Sequence, residues 1–143
     1  MTLFEGGGVA QIRIARPTDR LAELEHFYHE LIGLPKLTSW RHGLDGDHHG
    51  YDGLILGMPD GTMHLEFTHH AQGSPAPTPD RDALLVFYLP DADHLARVVR
   101  RLHDAGVTEV PPENPWWANG GHTFADPDGW RVVFMRGHGV EKR

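Results

Sequence analysis

Residues 124–135 read FADPDGWRVVFM, a Pro-Asp-Gly turn followed by an apolar run with strand character. An earlier stretch has the same form: the turn Met58-Pro59-Asp60-Gly61 leads into residues 63–68, MHLEFT, where apolar and polar residues alternate. Alternation with period two marks a strand whose two faces differ. The two turns begin at Pro59 and Pro127, 68 residues apart, and the strands after them, from Leu65 and Val132, lie 67 apart. Working outward, Leu21, Leu24, Tyr28, Leu31 and Ile32 fall at helical spacing and stop at Gly33. Leu95, Val98, Val99 and Leu102 do the same and stop at Gly106, 73 residues after Gly33. Each helix follows a strand, residues 9–15 (VAQIRIA) in one case and 83–89 in the other. Pro17-Thr18-Asp19 and Asp91 supply the helix starts. Residues 37–40, 53–57 and 121–124 are further short strands. Strand, helix, strand and turn in one order at a nearly constant offset describe a duplicated unit.

The expected fold is therefore α+β, a single domain over 1–143 built from two βαβββ modules. Module one covers about 9–70 and module two about 82–136. Between them, about 71–81, Pro75, Pro77 and Pro79 stand among small polar residues as a linker. At 143 residues, folding buries roughly two-thirds of the chain's surface, enough for a core.

Composition narrows the function. A net charge of −7 repels phosphate backbones, so no nucleic-acid partner is expected. There are no cysteines, which excludes disulfides, thiolate catalysis and cysteine-based metal sites. No apolar stretch approaches the roughly 20 residues of a membrane span, and the first residues lack a signal-peptide pattern. A cytoplasmic location without membrane contact is the expectation. There is no GxSxG, P-loop or strand-borne GxGxxG; Gly6–Gly8 is a flexible lead-in.

The stretches HFYHELIGLP (26–35) and FADPDGWRVVFM (124–135) resemble the vicinal oxygen chelate superfamily of glyoxalases, bleomycin-resistance proteins and extradiol dioxygenases. The resemblance covers about 9–135. It implies paired modules whose curved mixed sheet encloses a ligand cleft, often in a homodimer. Metal-using members place ligands on the first and fourth strands of each module. The matching positions here are Gln11 and Glu66, paired by the repeat offsets with Leu84 and Val133. Leucine and valine have no electron pair to give, whereas a catalytic divalent ion usually takes about three protein ligands. The resemblance thus points to a small-molecule binder, with no cofactor expected. The alternative is a divalent Zn, Ni, Mn or Fe held at a shifted site by Gln11, His64 and Glu66. In that case the protein is a glyoxalase- or dioxygenase-type lyase, isomerase or oxidoreductase.

Candidate catalytic groups are Glu66 and His122, the latter because an imidazole titrates near neutrality. The competing reading of Glu66 is a carboxylate neutralised by Arg13 or Arg131; that of His122 is a surface or packing residue. Candidate ligand-binding residues are Gln11, Arg13, Trp40, His64, Leu84, Val86, Tyr88, Trp116, Trp117 and Val133, apolar walls with a few polar handles. Ordinary core or interface packing is the competing reading of the tryptophans. The adjacent pairs His48-His49 and His69-His70 lie in loops, where solvation is the ordinary fate of histidine.

Overall fold

The computed structural model describes residues 2–140. The chain divides into two compact units, Met1–Ala76 and Pro77–Arg143.

The first unit runs β1 (Ile12–Pro17), α1 (Leu21–Glu25), β2 (Lys36–Trp40), β3 (Tyr51–Gly57) and β4 (Met63–His70). Its four strands lie in the order β1-β4-β3-β2, with β1 parallel to β4 and the other neighbours antiparallel. The first strand starts later than residues 9–15 suggest. Its partner β4 begins only after the Pro59-Asp60-Gly61 turn, so pairing starts at Ile12 opposite Met63. The helix continues past α1 as a wider π-type segment, His26–Leu31, in which the Ile32 N–H reaches back to the Phe27 carbonyl at 3.1 Å. Leu24, Phe27 and Tyr28 press into Leu54, Leu56, Leu65 and Phe67, all nearly inaccessible to water. Tyr28 stacks on Phe67 with ring centroids 5.3 Å apart. Each such side chain contributes roughly 1.5–3 kcal/mol by leaving water.

The second unit runs β5 (Leu84–Leu89), α2 (Ala92–Asp104), β6 (Gly121–Ala125) and β7 (Arg131–Arg136), in the order β5-β7-β6. Asp91 caps α2 by accepting the His94 N–H at 2.9 Å. The helix buries Leu95, Val98, Val99 and Leu102, the stripe that the spacing predicts. Gly106 closes it, with a φ of +83° that favours a residue without a Cβ, while the Val107 N–H bonds the Leu102 carbonyl. The strand that would complete a second βαβββ unit shrinks to one bridge, Glu109 opposite Phe124. Pro111 and Pro112 follow at once and have no N–H for a ladder.

The ladders show how the units correspond. In the first, Ala15 stands opposite Glu66 and Arg13 opposite His64. In the second, Val86 stands opposite Val133 and Leu84 opposite Arg131. With Glu66 matched to Val133, the counterpart of Leu84 is Arg13, and the pairing of Leu84 with Gln11 is two residues out. The slip has a clear origin. The first helical stretch has 5 and 6 residues in its two parts, whereas α2 has 13. A spacing measured between helix ends therefore overshoots the strands by two.

Candidate functional site

Side chains of β4 alternate between faces. Leu65 and Phe67 lie under the helix, which leaves His64, Glu66 and Thr68 on the helix-free face. The register adds Arg13 from β1, Ile55 and Tyr51 from β3, and Trp40 from β2 to that face. Trp40 lies flat over Gly53; a Cβ there would come within 2.0 Å of its ring, so the indole takes the space that only glycine leaves.

A chain of polar contacts runs along β1 and β4. The Arg13 guanidinium donates to the Gln11 side-chain oxygen at 2.9 Å and to Glu66 at 3.4 Å. The Gln11 amide nitrogen donates to the Gly61 carbonyl at 3.2 Å and lies 3.5 Å from His64 Nε2. His64 is 8% exposed, and its Nδ1 has no hydrogen-bond partner among the described residues. An unmatched buried polar atom costs about 1–3 kcal/mol.

Next to this chain lies a concavity of about 390 Å³ lined by Trp40, His48, His49, Tyr51, Glu66 and Thr68. His48 and His49 have φ of +45° and +54°, a region non-glycine residues seldom adopt. Asp47 holds the turn by accepting the His49 N–H, and the His48 ring lies 5.7 Å from that of Trp40. A larger cavity, about 480 Å³, opens beside α1 and β2 and includes Asp19, Glu25, Trp40, Asp52 and His69. There the His42 N–H and ring bond Asp52. Burial works against the Asp52 charge, but the His42 hydrogen bonds outweigh it and hold the carboxyl below its ordinary range.

In the second unit Leu84, Val86, Tyr88 and Val133 share the helix-free face, as the alternation predicts. Val133 is fully buried, and Tyr88 is substantially exposed. Phe87 turns the other way and stacks on Phe134. His122 is not on the helix-free face. It stands opposite Phe134, two residues before Phe124, on the side that carries α2. Its Nδ1 pairs with Glu109, which also lies 3.7 Å from His103 on α2. Strand parity gives this placement: a Phe124 in the helix-side core fixes the same face for His122, and the inward polar residue of β6 is Thr123. Trp116 is mostly exposed and Trp117 partly so, on a short turn, Pro115–Ala118. Neither lines the concavities described above.

The residues offered as a shifted metal site do not suit one. The Gln11 oxygen and the Glu66 carboxylate already share the Arg13 cation, and His64 Nε2 faces an amide nitrogen. Among the described residues, no three of His, Asp and Glu stand together as ligands for an ion. Arg131, the other partner considered for Glu66, instead donates to the Pro111 carbonyl. Sequence reasoning missed His48, His49, Tyr51 and Thr68 as lining residues. Tyr51 and Thr68 follow from the parity of β3 and β4, but nothing in the pattern places a loop histidine over Trp40.

Two family models match the chain: the YycE-like N-terminal domain over residues 12–68 and the YycE-like C-terminal domain over 82–136. The uncharacterized protein YycE of Bacillus subtilis is 48% identical over 137 residues, covering 96% of this chain and 95% of that protein. The chain belongs to the YycE-like family. A crystal structure of Bacillus subtilis YycE, a protein of unknown function described as a candidate glyoxalase/fosfomycin resistance protein, superposes with a TM-score of 0.88. It is 46% identical over 99% of this chain and 100% of that one. More distant folds agree. Leishmania major glyoxalase I gives a TM-score of 0.67 at 17% identity, over 88% of this chain and 85% of that one. The antibiotic-binding protein TnmS3 from Streptomyces gives 0.60 at 21%, over 90% and 95%. This YycE-like chain thus has the two-module α+β fold of the vicinal oxygen chelate superfamily. Among the described residues no helix is long and apolar enough to cross a membrane.

Proposed function

We propose that this YycE-like protein binds a small organic molecule on the helix-free face of its N-terminal sheet, without a divalent metal. The observation that carries the reading is Arg13. Its guanidinium holds both oxygen donors, Gln11 and Glu66, at the positions where metal-using relatives keep ligands. In the second unit the register matches the hydrocarbon Val133 to Glu66 and the hydrocarbon Leu84 to Arg13. Beside Arg13, Trp40 and Tyr51 wall a concavity with aromatic surface and a few polar groups, the composition of an organic-ligand site. The likeness to an antibiotic-binding protein supports the same reading. Within it, the protein works as a cytoplasmic homodimer, which light scattering after size exclusion tests.

A thermal-shift screen of aromatic natural products, run with and without a chelator, tests the binding. The expected result is a compound that raises the melting temperature equally in both conditions. A stoichiometric metal in the purified protein, whose removal lowers the melting temperature and abolishes binding, would transfer the case to a metal-dependent lyase, isomerase or dioxygenase.

A further inference from the structure

The loop before β3 fixes the protonation of His48. Its Nε2 lies 2.7 Å from the Asp45 carbonyl oxygen, which can only accept, so Nε2 carries a proton. In the neutral ring the lone pair is then on Nδ1. The Nε2–Cδ2 edge rests on the loop: a Cβ on Gly46 would lie 3.4 Å from Nε2 and 3.6 Å from Cδ2. Nδ1 is on the other edge of the ring and has no hydrogen-bond partner among the described residues. The loop braces itself, since the Asp45 carboxylate accepts the Arg41 N–H at 2.8 Å and the Gly43 N–H reaches the Gly46 carbonyl at 2.7 Å. His48 is open to solvent and lines the concavity of about 390 Å³ described above. Glu66 lines it too. Its Oε1 meets Arg13 at 3.4 Å, while Oε2 has no partner among the described residues. Arg13 itself does not line the concavity, and the lining has one carboxylate and no lysine or arginine. Trp40 and Tyr51 add aromatic surface, whose negative faces attract cations. Trp40 also has an indole N–H that can only donate but bears no charge, and the hydroxyls of Tyr51 and Thr68 can take either role.

We infer that the ligand of this concavity carries a protonated amine, whose N–H groups are taken by His48 Nδ1 and Glu66 Oε2 against the aromatic wall. The inference rests on the small-molecule reading above and adds the chemical class that reading lacks. A lone pair, a carboxylate oxygen and π faces all favour a cationic N–H donor, and none of them favours an anion.

The test is ¹H–¹⁵N correlation spectroscopy of the full-length protein at neutral pH. It follows the indole signal of Trp40, assigned through Trp40→Phe. Four probes are titrated separately: benzylamine, benzyltrimethylammonium, benzyl alcohol and phenylacetate. They share one ring and differ in charge and in N–H or O–H groups. Benzylamine should bind most tightly, benzyltrimethylammonium less so because it keeps the charge and loses the N–H groups, and the neutral and anionic probes least. Glu66→Gln should weaken benzylamine by roughly three- to tenfold. His48→Phe keeps a ring beside Trp40 and removes the lone pair; it should weaken benzylamine by about threefold and leave benzyltrimethylammonium unchanged. Phenylacetate or benzyl alcohol binding as tightly as benzylamine overturns the inference, as does a Trp40 signal that no probe moves. These results come from the unsubstituted protein and stand whether or not the variants fold. A compound from the thermal-shift screen that binds beside Trp40 without an amine, and equally well to Glu66→Gln, sinks this inference and leaves the binding reading standing. An empty screen together with an unmoved Trp40 removes both.

Discussion

A carboxylate set into a sheet face loses hydration, and Glu66, with 19% of its side chain exposed, recovers part of the loss from Arg13. The arginine, 40% exposed, binds Gln11 with its other nitrogen, so a single cation organises both oxygen donors, Gln11 just ahead of β1 and Glu66 on β4. Replacing it separates two effects. Arg13→Gln should lower stability only slightly, by about 0.2–1 kcal/mol, because a pair this open to solvent is screened; urea denaturation measures it. The same substitution leaves Gln11 and Glu66 without a competing cation. It should therefore create a rise in melting temperature on adding Mn²⁺ or Ni²⁺ that the unsubstituted protein lacks. A chelator-reversible rise already present before substitution would contradict the role given to Arg13. None of this is legible from spacing. The sequence placed Glu66 and an arginine on one face, but the choice between Arg13 and Arg131 depends on which loop each guanidinium reaches, and Arg131 is taken by Pro111.

At the scale of elements, the helices and strands were legible because their signals are local: periodicity, caps and turn residues. Asp91 illustrates one that can be tested. Its carboxylate accepts the His94 N–H and then that of Asp93 at the start of α2, and these bonds hold its pKa below the ordinary 3.8. A group with a depressed folded pKa stabilises fully above its unfolded value and loses that contribution as pH falls through the folded one. Asp91→Ala should accordingly lower the melting temperature by roughly 2–5 °C at neutral pH. The gap between the two proteins should close as the pH drops below 3.8. Calorimetry across that range checks both the size and the sign; a gap that widens on acidification would refute the capping role. What the local signals missed is of another kind. The second strand of the C-terminal module depends on whether residues near Glu109 find a partner, and the prolines that follow stop the ladder after one bridge. The face of His122 was legible by counting from Phe124, and it separates this histidine from Val133 across the sheet.

Across the whole molecule, duplication was the clearest message of the sequence, and its main error was arithmetic rather than conceptual. Helix ends repeat at 73 residues, whereas the matched strand residues Ala15 and Val86 are 71 apart, because the second helix carries two more residues. Landmarks on the strands themselves, such as Leu65 and Val132, which are 67 apart, locate facing residues better than helix stops do. Charge is the property that belongs to the chain as a whole. With 20 acidic and 13 basic residues it is strongly anionic at neutral pH, yet 12 histidines, once all protonated, carry the net charge from −7 past neutrality to +5. The reversal is centred near the isoelectric point of about 5.9. Two consequences follow from one titration. Solubility should pass through a minimum near that pH, where repulsion between molecules vanishes. Retention on an immobilised polyanion should be absent at neutral pH and appear only on the acid side, with a steep dependence on salt. Column retention measured as a function of pH decides the matter. Salt-sensitive retention at neutral pH would reveal a cationic surface that the net charge conceals and would reopen the question of a nucleic-acid partner.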